Sequence, residues 1–266
     1  MQELPVVLTI AGSDNSAGAG IQADLKTISA LGGYGLTALT CVVAEVPGKV
    51  EAVQPVKTSI VRAQIALSFQ AFPVAAVKTG MLFSPAILRC VVAALRSTAG
   101  ATPSPLVVDP VMVASSGDPL LQPEAVRLYQ DALFPLATVI TPNLDELAVL
   151  CGSRPDSLAA MEEAGKFLAG RHGCAVLCKG GHLREKKAVD VLISNGRVSR
   201  YSGTFRPDVQ THGTGCTYSA AIATGLARGL ALEHAIERAK NYIQACIDQS
   251  LRWRDTQALH HFHQRT

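Results

Sequence analysis

With 266 residues, 48% of them apolar and 17% charged, the chain falls in the globular class and can bury one ample core, which excludes intrinsic disorder. A net charge of +3 with no Lys/Arg run leaves no basic stripe, so nucleic-acid binding has no support. The seven cysteines are odd in number, scattered and mostly within apolar segments, the pattern of a reducing compartment, so a cytoplasmic protein is expected. Residues 1–12 lack the basic start of a signal peptide, and no apolar run reaches membrane length. A single domain over residues 1–266 is expected.

Residues 6–10 form a continuous apolar run, a first strand buried on both faces. A small-residue loop (13–20, SDNSAGAG) follows, then apolar positions 21, 25, 28 and 31 at helical spacing. Residues 36–44 read as a second buried strand ending at Glu45, 50–53 as a short edge strand and 59–69 as a helix. A strand at 75–78 leads to Thr79-Gly80-Met81, and Pro85 opens a helix to Arg96. A strand at 106–108 ends in Asp109-Pro110, and 123–133 is helical. The strand 138–140 runs into Thr141-Pro142-Asn143 and a helix carrying Asp145 and Glu146. Helix 158–172 and strand 175–178 lead to Lys179-Gly180-Gly181-His182. Strands 189–194 and 198–201 flank Asn195-Gly196, a dipeptide suited to a tight primed turn. Helices 215–228 and 232–250 complete the chain. Strands alternating with helices predict an α/β fold with a largely parallel sheet covered on both sides.

Gly12, Glu45, Thr79, Asp109, Thr141 and Lys179 all fall at predicted strand ends, where ligands bind in open α/β sheets. His212-Gly213-Thr214-Gly215-Cys216-Thr217 opens a helix, so its N–H groups and the helix dipole favour an anion. Cys216, on the first turn, is expected to have a lowered pKa and to serve as base or nucleophile. The plainer alternative is a glycine loop before a packed helix, with Cys216 as a small buried hydrophobe. Gly18-Ala19-Gly20-Ile21-Gln22-Ala23 fits a dinucleotide-binding pattern, but residues 13–17 separate it from the first strand, where that pattern needs its first glycine.

Asp24 could answer a helix dipole or bind a ligand. Asp109, beyond a buried strand, implies a cationic partner. Asn143 and Glu146 share a helix face suited to holding magnesium through water, although a cap explains either alone. Lys179 could reach a phosphate or snorkel to the surface. Met81 and Val111 are most simply core residues at the site rim. In the tail, His260-His261-Phe262-His263 has no Cys or carboxylate nearby at ligand spacing, which argues against a metal role.

Together these stretches resemble the hydroxymethylpyrimidine/phosphomethylpyrimidine kinases of thiamin biosynthesis, in the ribokinase-like superfamily. The resemblance rests on LTIAGSDNSAGAGIQADLKTISALG (8–32), KTGML (78–82), DPVMVASSGDPLL (109–121), TPNLDE (141–146), KGGH (179–182), HGTGCTYSAAIA (212–223) and HHFH (260–263). It implies a three-layer α/β sandwich that uses ATP and magnesium and is usually a homodimer. It also implies that Gly12, Ala19, Asp24, Met81 and Val111 surround a pyrimidine. Cys216 assists the attacking hydroxymethyl group, and residues 213–216, Gly213 and Gly215 among them, form the anion hole. Lys179, Thr214 and Asn143 take the nucleotide, while Asp109 and Glu146 organise magnesium.

One position departs from the family. Its substrate-gripping glutamine, in the pattern V-A-Q-N, is Glu45 here, within Val43-Ala44-Glu45-Val46. The expected activity is phosphorylation of 4-amino-5-hydroxymethyl-2-methylpyrimidine and of its monophosphate. A pyridoxal or pyridoxine kinase, or a non-catalytic ligand-binding module, is the alternative.

Overall fold

The computed structural model describes residues 3–98, 103–112, 123–181, 183, 187–209 and 212–263. Residues 113–121 of the DPVMVASSGDPLL stretch, and His182, lie outside them.

The first strand, β1 (Val6–Ala11), is buried at every position. Val7 packs into one core while Leu8 and Ile10 pack into the other, the alternation that a pleated strand imposes. The chain continues through α1 (Gly20–Ala30), β2 (Tyr34–Leu39), β3 (Cys41–Val46), β4 (Lys49–Pro55), α2 (Thr58–Ala71), β5 (Val74–Thr79), α3 (Pro85–Thr98) and β6 (Leu106–Val108). It then forms α4 (Pro123–Leu128), β7 (Val139–Ile140), α5 (Leu144–Cys151), α6 (Leu158–His172), β8 (Ala175–Cys178), β9 (Lys187–Ser194) and β10 (Arg197–Thr204). The last elements are α7 (Thr214–Ala227), α8 (Leu232–Asp248), β11 (Leu251–Trp253) and β12 (Thr256–Ala258).

Eight strands form the main sheet in the order β10-β9-β8-β7-β6-β5-β1-β2. The pairs from β2 to β8 are parallel, and β9 and β10 add an antiparallel hairpin at one edge. Helices α2, α3, α5 and α6 pack on one face and α1, α7 and α8 on the other, giving the expected three-layer sandwich. Because β1 pairs with both β2 and β5, the strand order reverses beside it. That reversal opens the crevice where open α/β sheets bind ligands.

Two expectations are corrected, and one element is added. The apolar run 36–44 is not one strand. The chain turns at Thr40, whose N–H donates to Ala11 O (3.0 Å) and whose hydroxyl donates to Met81 O (2.7 Å). Beyond it, β3 leaves the main sheet and pairs only with β4, as a separate flap. Val42 and Val46 of this flap are 50% and 52% exposed, whereas Cys41 and Val43 are buried. Hydropathy could not show the break because β-branched residues continue across it. The helix predicted over 123–133 is α4 followed by a π-helical turn, Tyr129–Leu133, and a 3₁₀ turn, Phe134–Leu136. Tyr129, Leu133 and Phe134 are fully buried there, so packing overrides helical propensity. Finally, residues 251–258 form a small antiparallel hairpin, β11 with β12, that sequence reasoning missed.

Phe134 lies edge-on to His172 (5.2 Å between centroids) and tilted against Tyr129 (5.9 Å). We predict that Phe134→Ala costs about 3–5 kcal/mol in urea denaturation. Val46→Ala on the flap should stay within about 0.5 kcal/mol. Equal losses would place the flap in the core.

Candidate active site

Two loops interlock at the open end of β1. Gly213 caps α7 with φ +80°, and a Cβ on it would stand 1.8 Å from Gly18 O, so both conformation and space require glycine. The loop between β1 and α1 is tied by Asp14, which accepts from the N–H groups of Ser16 (2.7 Å), Gly18 (3.1 Å) and Ala19 (2.7 Å). Asp14 also meets His212 Nε2 at 3.0 Å. Burial opposes its charge, but His212 and the N–H donors outweigh that and hold the carboxyl well below the ordinary carboxylate value. The same hydrogen bond raises His212 above an ordinary histidine.

Beneath these loops runs a row of buried charges. Asp24 and Lys78 are both inaccessible to solvent and pair at 2.9 Å, and the Thr9 hydroxyl donates to Asp24 at 2.5 Å. Burial disfavours the Lys78 ammonium and raises the Asp24 carboxyl, yet Asp24, aided by Cys216 and Asp109, holds Lys78 above the ordinary lysine value, and with both Asp24 oxygens within 3.0 Å of Nζ and Thr9 donating to one of them we read the pair as ionised. Asp109 accepts from Lys179 Nζ (2.9 Å), Thr141 Oγ1 (3.2 Å) and Ser219 Oγ (3.2 Å). Burial opposes its charge too, but Lys179 and Lys78 hold the carboxyl below its ordinary value. Glu146 is next in the row, and burial, countered by Lys179 but reinforced by Asp109, pushes its carboxyl up to about 7. The anion loop meets this row directly. A Cβ on Gly215 would stand 3.2 Å from Lys179 Nζ and 3.4 Å from Asp109 Oδ2.

Gly12, Met81 and Glu45 gather on the other side of the crevice. A Cβ on Gly12 would meet Cys41 Sγ at 2.7 Å and Met81 Sδ at 3.9 Å. The flap is stitched over this floor, Val43 N–H donating to Ser13 Oγ (3.2 Å) and Glu45 N–H to Asn15 Oδ1 (2.6 Å). Lys49, three residues past the Glu45–Val46 end of β3, pairs with Glu51 at 2.7 Å and not with Glu45. Burial and then the Asp14 charge raise the Glu45 carboxyl, with His212 opposing. A cavity of about 540 Å³ at the flap includes Asn15, Val43 and Glu45 in its walls but none of the anion-loop residues. Val111 has φ +44°, an outlier for a β-branched residue, and Ala17 and Phe83 also have positive φ. Such strain gathers at functional sites.

Several expectations change. Cys216 does not have a lowered pKa: burial, with Asp24 and Asp109 adding and Lys78 opposing, pushes its thiol up to about 11. The dipole of one helix end does not overcome desolvation beside two carboxylates. Asn143 is the N-cap of α5 and forms a capping box with Glu146, so the structural explanation for their spacing holds. Their grip is therefore not on a shared outward face. Glu146 accepts from the Asn143 and Met112 N–H groups and turns toward Asp109 and Lys179. Asp24 is sealed behind the crevice with Lys78 instead of lining it. His261 is buried and shares a hydrogen bond with Thr217 Oγ1 at 3.0 Å.

Asp14 and Lys78 were missed as functional candidates. A lysine inside an apolar strand was the available signal, because a buried lysine needs a partner. No group of three or more His, Cys, Asp or Glu able to hold a metal occurs among the described residues. Asp109 and Glu146 still fit magnesium, which takes one or two carboxylates and keeps several waters, since Glu146 is buried without full positive compensation.

The family model described as phosphomethylpyrimidine kinase matches residues 14–260. The chain belongs to the phosphomethylpyrimidine kinase family. It is 42% identical over 264 residues to the hydroxymethylpyrimidine/phosphomethylpyrimidine kinase of Rhizobium meliloti, covering 97% of each chain. The ADP complex of Bacillus subtilis pyridoxal kinase superposes with a TM-score of 0.89 at 36% identity, covering 99% of both chains. The phosphomethylpyrimidine kinase of Clostridium difficile gives 0.79 at 39% identity, covering 91% of this chain and 98% of that one. Membership in this kinase family accounts for the ribokinase-like sandwich and for the glycine loop above the lysine and carboxylates.

The His212–Asp14 clamp makes a pH-dependent contribution. A raised histidine stabilises fully below its unfolded value of about 6.5 and loses that contribution as pH rises through the folded value. A lowered aspartate stabilises above its unfolded value of about 4 and loses that contribution in acid. We predict that the stability difference between wild type and His212→Gln peaks between about pH 4.5 and 6 and shrinks in alkali. A difference that is flat across this range would contradict the clamp.

Proposed function

We propose that the protein uses ATP and magnesium to phosphorylate 4-amino-5-hydroxymethyl-2-methylpyrimidine and its monophosphate in thiamin biosynthesis. The observation that carries this reading is the meeting of Gly215, Lys179 and Asp109, which supports a role for the glycine loop and the ammonium in holding phosphoryl oxygens. Phosphoryl transfer depends on positioning and charge neutralisation, which these residues supply. Thr214 and Asn143 border the nucleotide in this reading, and the ADP bound by the pyridoxal kinase relative supports ATP as donor. Magnesium, held by Asp109 and Glu146, supplies charge neutralisation at the phosphates. Gly12, Ala19, Met81 and Val111 shape the ring pocket, with Asp24 acting from behind through Lys78. Free thiols at all seven cysteines support a cytoplasmic setting. No described helix is long and apolar enough to cross a membrane. Exposed Val42, Val46 and Val50 on the flap support a homodimer.

A second reading, a pyridoxal or pyridoxine kinase, is favoured by Glu45. Glutamine can both donate to a ring nitrogen and accept from a ring amino group, whereas an ionised glutamate only accepts. The raised Glu45 carboxyl restores a donor when protonated. The deciding assay is ATP consumption with hydroxymethylpyrimidine, its phosphate, pyridoxal and pyridoxine. We predict turnover of the first two, with Glu45→Gln raising kcat/KM for hydroxymethylpyrimidine roughly tenfold. Turnover of pyridoxal and pyridoxine alone would establish the second reading, and turnover of none would leave a binding module.

Cys216 is read as the group that assists the hydroxymethyl oxygen. With its thiol at about 11, kcat/KM should climb with pH between about 7 and 9 without a plateau. Cys216→Ala should lower kcat by roughly 10²–10⁴-fold and flatten that profile. Normal turnover by a folded Cys216→Ala would make the thiol structural.

A further inference from the structure

At the opposite end of α7 from the anion loop lies a second cavity, of about 300 Å³, walled by α7, α8 and the end of α1. Arg228, Arg238, Asn241 and His263 supply its polar lining, and Leu230 and Tyr242 are among its apolar walls. No carboxylate is among its lining residues. Neither arginine forms an ion pair within the described residues. Arg228 Nη1 donates to Leu31 O at 2.9 Å, which anchors the guanidinium and leaves its other donors for a ligand. His263 Nδ1 bonds His260 O at 3.1 Å, while its Nε2 is buried with no hydrogen-bond partner among the described residues.

The cavity is also wired to the anion loop. Tyr242 OH donates to His261 O (2.7 Å), His261 Nε2 bonds Thr217 Oγ1 (3.0 Å), and Thr217 N–H donates to Gly213 O (2.9 Å). Burial pushes the His261 imidazole down to about 4, so this chain is a neutral one. Its far end is the glycine that fixes the interlocked loops.

We propose that this cavity is a second ligand site for a small organic phosphate ester, and that its occupancy alters nucleotide affinity through Tyr242, His261 and Thr217. Two guanidinium groups suit a phosphate, because each offers a planar fork of donors. The apolar walls suit the body of the ester, and the volume is at the lower end of the range for small-molecule sites.

Phenyl phosphate is the probe, titrated calorimetrically into wild type, Arg238→Glu and Lys179→Met, with inorganic phosphate alongside. Arg238 is exposed and outside the catalytic machinery, so its variant should fold. The expected result is millimolar or tighter binding by wild type, at least roughly tenfold weaker in Arg238→Glu and kept in Lys179→Met. Saturating probe should shift ADP affinity of the wild type several-fold and that of Arg238→Glu not at all. Binding lost in Lys179→Met but kept in Arg238→Glu would put the probe in the active cleft and overturn the site. No binding by wild type would overturn it as well. Inorganic phosphate binding as tightly as phenyl phosphate would overturn the ester class, and unchanged ADP affinity at saturation would overturn the coupling.

Discussion

The site depends on charges that the fold seals away from water. Asp24 on α1, Lys78 in β5, Asp109 after β6, Glu146 on α5 and Lys179 after β8 form one cluster in which Asp24 pairs with Lys78 and Asp109 with Lys179. An isolated buried charge is prohibitive, so Asp24 and Asp109 are tolerable because each meets a lysine ammonium at 2.9 Å. Three carboxylates face two ammonium groups, and burial raises the carboxyls of both Asp24 and Glu146, the latter to about 7. In the proposed reading, magnesium adds positive charge at the Glu146 end and phosphate oxygens lie above Lys179.

The interlocked loops turn that cluster into a site. Gly213 leaves room for Gly18 O, and the Asp14–His212 contact closes the gap from the other side. The strained Val111 and the flap carrying Glu45 complete the rim. Because α7 is capped by Gly213 at one end and Arg228 at the other, one rigid element of about 20 Å joins the glycine loop to the cavity behind it.

Much of this was legible in the sequence, for identifiable reasons. Apolar runs of strand length separated by helical spacing gave the alternation of layers, and polar residues at their ends located the crevice. The glycines at 213 and 215 carried their meaning because few other residues allow such a close approach. What stayed hidden depended on partners distant in sequence. Lys78 within an apolar strand signals that a partner is needed, but that partner, Asp24, lies 54 positions away and cannot be named from the local sequence. Cys216 was misread because a local argument from the helix end left out the burial that tertiary packing imposes on the thiol and, after it, the two carboxylates brought near it. The turn at Thr40 was invisible for a similar reason: the groups that hold it, Ala11 O and Met81 O, belong to two other segments.

The central claim is that the Asp24–Lys78 pair supports the site as an ion pair from behind the crevice, and a double-mutant cycle on stability tests it most directly. Lys78→Met leaves a buried carboxylate without its counter-charge and should cost about 3–5 kcal/mol in urea denaturation. Adding Asp24→Leu removes that carboxylate, so the account predicts a double variant within about 1 kcal/mol of wild type, a strongly non-additive cycle. Losses that simply add would show that the two residues do not form a buried pair.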